Sequence, residues 1–403
     1  MWNNSLMIVG GLLTALGMLE ALYVGRFLVG VGVGIESVVV PVLLSEIASS
    51  ETRGTITTLH QLYLTVGIFL SGMIGYGFVE HVDHGWQYVQ GGIVIPSVIM
   101  LVCYRYVPES PKWLMLQSRE SEAEKALVPL RDQGCDIKRE LRSITEDVLS
   151  ASKQEVSSDV QWSEVFSAKK AVIIGSGLMF MSAMSGINTV IFYSTTIFDF
   201  AGFHEAILAT ASVGLVNMIT TACATYFIDI YGRKTLLMLG MNCMVLSLGV
   251  LSVILICSLD ESVQGIIAVL ATLLYVFGFA IGLGSVAWVI MSEIVPIRIR
   301  TKAFSLFVSI NWACNLLIGL VTLTAIDGLG SVENDMTDDE SSSAQKKGVA
   351  YLYFIFCGIC FGSLCFIKLV VPETKGKAVE ELDDFDDMGG HLLDPSSLNS
   401  SQI

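Results

Sequence analysis

Ten long apolar runs divide this chain of 403 residues. They fall at about residues 5–20, 22–44, 57–78, 90–107, 171–193, 206–228, 235–257, 264–290, 303–325 and 349–370. A helix of about twenty apolar residues crosses a hydrocarbon core of ~30 Å. Inside that core each backbone polar group must find its partner within the protein, which restricts such runs to helices. Most of the runs lack the polar face at helical period that a soluble bundle would show. Hydrophobic residues make up 53% of the chain and charged ones 15%. The chain therefore reads as an all-α integral membrane protein in a lipid bilayer, with about ten transmembrane helices.

Charge placement orients those helices. With an even number of spans both termini lie on one side. On that side fall Arg53, eleven basic residues from Arg105 to Lys170, and then Arg233, Lys234, Arg298, Arg300, Lys302, Lys368, Lys375 and Lys377. The opposite loops hold Lys346 and Lys347, with Arg26 near that side of its helix. Lys and Arg gather in cytoplasmic loops, so both termini are expected in the cytosol. The net charge of −15 comes mainly from Asp327 to Lys347 on the outside and from the tail Glu380 to Asp394. Such acidic runs are ordinarily solvated, disordered sequence rather than a substrate or nucleic-acid signal.

Within this plan one pattern is written twice. Ser45-Glu46-Ile47, with Arg53 seven residues past the Glu, recurs as Ser292-Glu293-Ile294 with Arg300. Val107-Pro108-Glu109-Ser110 recurs as Val371-Pro372-Glu373-Thr374. Each copy follows a glycine-rich apolar run, the mark of an internally repeated membrane protein. The second copy also carries Asp229-Ile230-Tyr231-Gly232-Arg233-Lys234, about sixty residues before Ser292, and the first has no counterpart. The expected divisions are an incomplete N-terminal half of four helices (1–107), a cytosolic linker (108–170), a six-helix C-terminal half (171–371) and an acidic cytosolic tail (372–403). In the linker, Glu120–Leu130 and Ile137–Leu149 have amphipathic helical spacing with mixed charge.

Catalytic chemistry finds little support. Eight of the nine cysteines sit in apolar runs and Cys135 in a loop, which argues against a disulfide framework. Cys357-Gly358-Ile359-Cys360 has redox spacing but lies within an apolar helix, where packing is the better reading. His81 and His84 are too few for a metal site. No nucleophile–base pair or metal cluster stands out, so neither an enzyme nor a cofactor is expected.

Taken in order, Gly25-Arg26-Phe27, Glu46 to Arg53-Gly54, Pro108-Glu109-Ser110-Pro111-Lys112-Trp113-Leu114, Gly232-Arg233-Lys234 and Pro372-Glu373-Thr374-Lys375-Gly376 resemble the sugar porter family of the major facilitator superfamily. The resemblance runs from about residue 3 to residue 377. It implies two six-helix halves rocking about a central sugar site. It also implies that this chain starts at the third helix of a twelve-helix plan, without the first two and without the first Gly-Arg motif.

A sugar site has its own chemical requirements. Hydroxyls donate and accept, so Asn and Gln amides suit them, and the C–H faces of a pyranose suit an aromatic plate. Mid-helix glycines let backbone unwind where it lines a cavity. Gln61 lies in Leu59-His60-Gln61-Leu62 with Ile68 two turns on along the same face; Asn188 follows Gly186 in Ser185-Gly186-Ile187-Asn188, with Phe192 and Tyr193 one turn beyond. Gly282, Gly284 and Trp288, then Asn311, Trp312 and Asn315, supply an aromatic face and further amides, and Asn217 sits in an otherwise apolar run. The resemblance implies that Gln61, Asn188, Asn217 and Trp288 hold the sugar and that Phe192 and Tyr193 form the extracellular gate. Amides in membrane helices also serve as interhelical glue, which is the competing reading for any one of them.

Departures from the family pattern fall in the same stretches. Ser182 and Ala183 stand where two glutamines are usual, Leu283, Ser285 and Ala287 where prolines are usual, and Ala280 where a Glu is frequent. A buried hydroxyl left without its partner costs ~1–3 kcal/mol, about ten- to hundredfold in affinity. The substrate therefore stays open among hexoses, pentoses and polyols such as inositol. Glu36, well inside a helix, is a candidate proton site, and facing the cavity or pairing with a neighbouring helix are its alternatives. Glu46, Arg53, Glu109, Asp229, Arg233, Glu293 and Arg300 gather at cytosolic helix ends, where the resemblance implies a latch that closes that side. The expected function is alternating-access transport of a monosaccharide or polyol, facilitated or proton-coupled. A sugar sensor on a transporter body and a non-transporting fragment are the alternatives.

Overall fold

The computed structural model describes residues 2–49, 52–131, 136–152, 160–191, 206–257, 260–331 and 337–374, with the side chains of a few helical positions, Arg53 and Asp229 among them, outside the description. Helices α1 (Trp2–Ala15), α2 (Leu19–Ile47), α3 (Arg53–His81), α4 (Gly85–Gly91) and α5 (Val94–Cys103) come first. The α4–α5 pair accounts for the fourth apolar run, broken at Gly91–Gly92 and closed by a 3₁₀ turn at Tyr104–Tyr106. At 14 residues, α1 is shorter than a full crossing. It lies on α2 with glycines in contact: a Cβ on Gly25 would meet the Gly10 carbonyl at 2.7 Å, the close approach that small residues permit between membrane helices.

The polar stretch that follows folds as short helices, α6 (Pro111–Leu116), α7 (Glu120–Leu127), α8 (Ile137–Ser152) and α9 (Trp162–Ser167). Ser110 caps α6 by accepting from the Trp113 N–H at 3.2 Å, with Pro111 at the first helical position. Leu114, Ala123, Leu127, Leu141 and Ile144 form a small core of their own. Arg131 docks this unit beneath the membrane helices. It is bidentate to Glu140, at 2.7 and 2.5 Å, and donates at 3.0 Å to the Ile47 carbonyl at the end of α2. Arg298 meets Glu164 at 3.1 Å, and Lys302 donates to the Val160 carbonyl, so α9 is held to the later helices.

Those later helices are α10 (Lys169–Met184), α11 (Ala206–Tyr231), α12 (Arg233–Ile256), α13 (Glu261–Phe279), α14 (Ser285–Ile294), α15 (Arg300–Gly330) and α16 (Asp338–Val370). Here lies the main hydrophobic core, with α12 at its centre packed on α13 and α16. A π segment, Ala280–Gly284, joins α13 to α14. Gly240 of α12 packs so closely on it that a Cβ there would meet the Gly282 Cα at 2.8 Å. The N-terminal helices pack across onto this unit, α3 against α11 and α14, and α2 against α15. Among the described residues, eight helices are long and apolar enough to cross a membrane.

One expectation is overturned. The acidic segment between the last two long helices is helical from Asp338, and α15 continues to Gly330. A capping box at Thr337 and Glu340 starts α16. Gly348 lets the two helices touch, since a Cβ there would fall 2.0 Å from the Ile326 carbonyl. Lys346 donates at 2.7 Å to Gln264, which itself bonds the Ile254 carbonyl at 2.6 Å. Packing and an amide bridge thus order charged sequence that composition alone reads as solvated.

Candidate functional site

Asn188 owes its position to a broken helix. α10 ends at Met184, Gly186 adopts φ +87°, and the helix resumes through residue 191. Only glycine takes that φ readily, and a Cβ at Gly186 would also meet the Phe356 ring at 2.5 Å. From the resumed segment Asn188 donates at 2.6 Å to the Asn315 carbonyl oxygen. Asn315 donates at 2.9 Å to Asn311, and Asn311 at 3.0 Å to the Met179 backbone carbonyl. Three amides thus form one chain of hydrogen bonds running from α10 across α15 and back to α10. Each amide keeps further donor and acceptor capacity. Asn188 is the free end, its carbonyl oxygen unclaimed by this chain.

A second group comes from α3 and α14. Gln61 is buried, and its neighbour His60 sets its ring edge-on to Trp288, 5.4 Å between centroids. Trp288 follows the π segment, the kind of single-turn irregularity that recurs at functional sites in helices. Ser285 donates to the Ala280 carbonyl at 2.7 Å and closes the bulge. Ile68 is half-buried two turns further along α3. In α11, which packs on α3, Asn217 is 3% exposed, and its side-chain oxygen has no hydrogen-bond partner among the described residues. A buried acceptor without a donor is costly unless something fills the place.

Trp312, half exposed, turns into a groove of about 840 Å³ between α2 and α15, which Arg26 also lines. Glu36 accepts at 2.8 Å from Asn3 of α1, which ties the two helices. Of its three readings, the pair with a neighbouring helix is the one with a partner in place. Phe192 and Tyr193, the expected gate, lie outside the described residues.

At the helix ends near residue 233, Arg233 is the hub. Its guanidinium donates to Glu293 at 2.8 and 3.2 Å and to the Ile228 carbonyl at 3.2 Å. Glu293 in turn accepts from the Thr374 hydroxyl at 2.6 Å. Glu373, not anticipated as part of the latch, accepts from the backbone N–H groups of Arg233 and Lys234 at 2.9 and 3.0 Å. A carboxylate there satisfies two orphan donors and meets the positive end of the helix dipole. Gly232, at φ +87°, leaves room for it, since a Cβ would stand 2.8 Å from the Glu373 carboxylate. The two motifs Gly232-Arg233-Lys234 and Pro372-Glu373-Thr374 are therefore one physical unit.

The other residues expected in the latch are spread out. Arg300 is buried and donates at 3.1 Å to the Val295 carbonyl. Glu46 is half-buried at the end of α2. Glu109 is exposed, 3.9 Å from Arg119, and Arg119 is bidentate to Glu122, whose carboxyl that bond holds below its ordinary range. The side chains of Arg53 and Asp229 lie outside the description.

Two discontinuous helices, with an amide chain at one break, are a feature that recurs at the binding sites of membrane transporters. A family model described as "Sugar (and other) transporter" matches residues 1–385. The chain belongs to that family. It is 33% identical over 366 residues to plastidic glucose transporter 4 of Arabidopsis thaliana, covering 90% of this chain and 63% of that protein. It is 33% identical to the facilitated trehalose transporter Tret1 of Drosophila mojavensis, covering 89% of this chain and 39% of that protein. The galactose-proton symporter of Escherichia coli (strain K12) is 29% identical, with 94% and 77% covered. This chain thus spans less than two thirds of the glucose and trehalose relatives.

Among solved structures, the proton:xylose symporter XylE bound to 6-bromo-6-deoxy-D-glucose superposes with a TM-score of 0.79 at 26% identity, covering 95% of this chain and 82% of that one. The inward-open form of XylE from E. coli gives 0.69 at 25% identity, with 95% and 81% covered. The fold is that of an all-α major facilitator superfamily membrane protein. Its helices superpose better on that ligand-bound structure than on the inward-open one.

Proposed function

We propose that this sugar transporter family member moves a monosaccharide or polyol, most simply a hexose, across a membrane by alternating access. The observation that carries the reading is the amide chain from Asn188 through Asn315 and Asn311, hung on a helix break. A hydroxyl-bearing ligand can join it as donor and acceptor at Asn188, find a waiting acceptor at Asn217 and lay a ring face on Trp288. Gln61 and Ile68 of α3 are assigned to the same site in this proposal. The relatives named for glucose, trehalose and galactose support a sugar as cargo. The surplus of Lys and Arg at one set of helix ends supports both termini in the cytosol. The Arg233, Glu293, Glu373 and Thr374 cluster is read as the cytosolic latch, with Arg300 and Glu46 beside it. Arg53, Asp229 and Glu109 join it in this proposal on sequence grounds, and Phe192 and Tyr193 stand as the outer gate on the same grounds. Glu36, at membrane depth, is the candidate for a proton.

Uptake of labelled glucose, galactose, xylose and myo-inositol into proteoliposomes, with and without an inward proton gradient, tests this reading. Saturable uptake of at least one is expected. Acceleration by the gradient that is lost in Glu36→Gln would assign the coupling, whereas uptake of none would overturn the transport reading.

A further inference from the structure

Ser185, which opens the break in α10, is 1% exposed, and its carbonyl accepts a hydrogen bond at 2.9 Å from the hydroxyl of Tyr275. Tyr275 is fully buried, one turn before the π segment that leads to Trp288. The Cys360 thiol of α16 approaches the same carbonyl at 4.0 Å. On the far side of the break Val190 donates to Gly186 at 3.0 Å, so the resumed turn that carries Asn188 starts directly after the residue Tyr275 holds. The two irregular helices, α10 with its left-handed Gly186 and α13–α14 with its π segment, are therefore pinned to each other at a single backbone oxygen. Tyr353 makes an internal comparison. It is just as buried, on α16, but its hydroxyl has no hydrogen-bond partner among the described residues.

We propose that Tyr275 is a positioning residue for substrate binding: its hydroxyl fixes the Ser185–Gly186 break and so aims Asn188 at the ligand. The proposal rests on the sugar-site reading above. A carbonyl at a helix break has lost its regular partner and needs another in an apolar surround. Supplied by Tyr275, that partner sets the direction of the new turn. Without it, the break is free to take other dihedrals and Asn188 swings from the line of Asn315 and Asn311. Tyr275 lies one turn ahead of the π segment, so a shift of α13 and α14 during transport is passed to Asn188 through the same oxygen.

Equilibrium binding of D-glucose, with myo-inositol in a parallel series, separates the outcomes. Tyr275→Phe keeps the ring and removes the hydroxyl, and its dissociation constant should rise roughly three- to tenfold, the scale of one net hydrogen bond. Tyr353→Phe should bind as the unaltered protein does. Cys360→Ala, which removes the weaker contact to the same oxygen, should move affinity in the same direction by less. In an Asn188→Ala background, neither Tyr275→Phe nor Cys360→Ala should weaken binding further, because both act through Asn188. A purely structural role for Tyr275 predicts the opposite, effects that multiply. Unaltered affinity in Tyr275→Phe, or multiplied effects, overturns the proposal while leaving the sugar site standing. Unaltered affinity in Asn188→Ala overturns the site itself. Should Tyr275→Phe fail to fold, the Cys360→Ala series in the two backgrounds decides between the same outcomes.

Discussion

Asn188 is the residue on which the proposed sugar binding turns. It sits at the free end of an amide chain whose other two members each donate and accept within it. Asn188→Ala should cost ~1–3 kcal/mol of sugar affinity, roughly ten- to hundredfold in KM, with little change in the amount of folded protein. Uptake kinetics against concentration would check this, and an unchanged KM would contradict it. Asn217 was legible in the sequence as a lone amide in an apolar run, but its unpaired oxygen was not, because that depends on what α3 and α14 place opposite. Tyr275 escaped altogether: a tyrosine among aliphatic residues gives no hint of a partner ninety positions earlier. Glu373 was visible as half of a repeated motif, yet its bond to α12 joins segments some 140 residues apart.

At the scale of elements, glycine and carboxylate chemistry define where helices stop. Gly186→Ala forces an alanine to φ +87° with the Phe356 ring in its way. Melting of the detergent-solubilised protein should show a loss of ~1–3 kcal/mol of stability, and an unaltered melting temperature would count against the break as described. Glu373→Gln keeps the shape but removes the charge that faces the start of α12. A loss of ~0.5–2 kcal/mol is expected from the cap and the helix dipole together, read by the same melting assay. The positions of most helices could be read from runs of apolar residues, because a membrane crossing fixes both length and hydropathy. The helical start of α16 could not, since a capping box, the Gly348 crossing and the Lys346–Gln264 bridge outweigh an acidic composition.

Across the molecule, the Arg233–Glu293 cluster, proposed as the cytosolic latch, is the element whose two arrangements would set the balance between states. Arg233 and Glu293 are largely buried at the helix ends, and removing one partner of such a pair costs ~3–5 kcal/mol. If the pair forms only while the cytosolic side is closed, Arg233→Ala shifts the population inward-facing. Faster labelling of a cysteine at position 217 by a cytosolic thiol reagent would show it, and an unchanged rate would contradict it. Arg131→Ala should release the linker helices from α2, slowing transport while leaving equilibrium sugar binding in place. Equal losses in both measurements would argue that the linker shapes the site instead.

In the proposed cycle a sugar crosses by a site exposed to one side at a time. Counterflow tests it directly. Proteoliposomes preloaded with unlabelled glucose or myo-inositol should take up the same labelled sugar faster than empty ones, with a transient overshoot that Asn188→Ala diminishes. Uptake indifferent to preloading, or absent with every sugar, would contradict it.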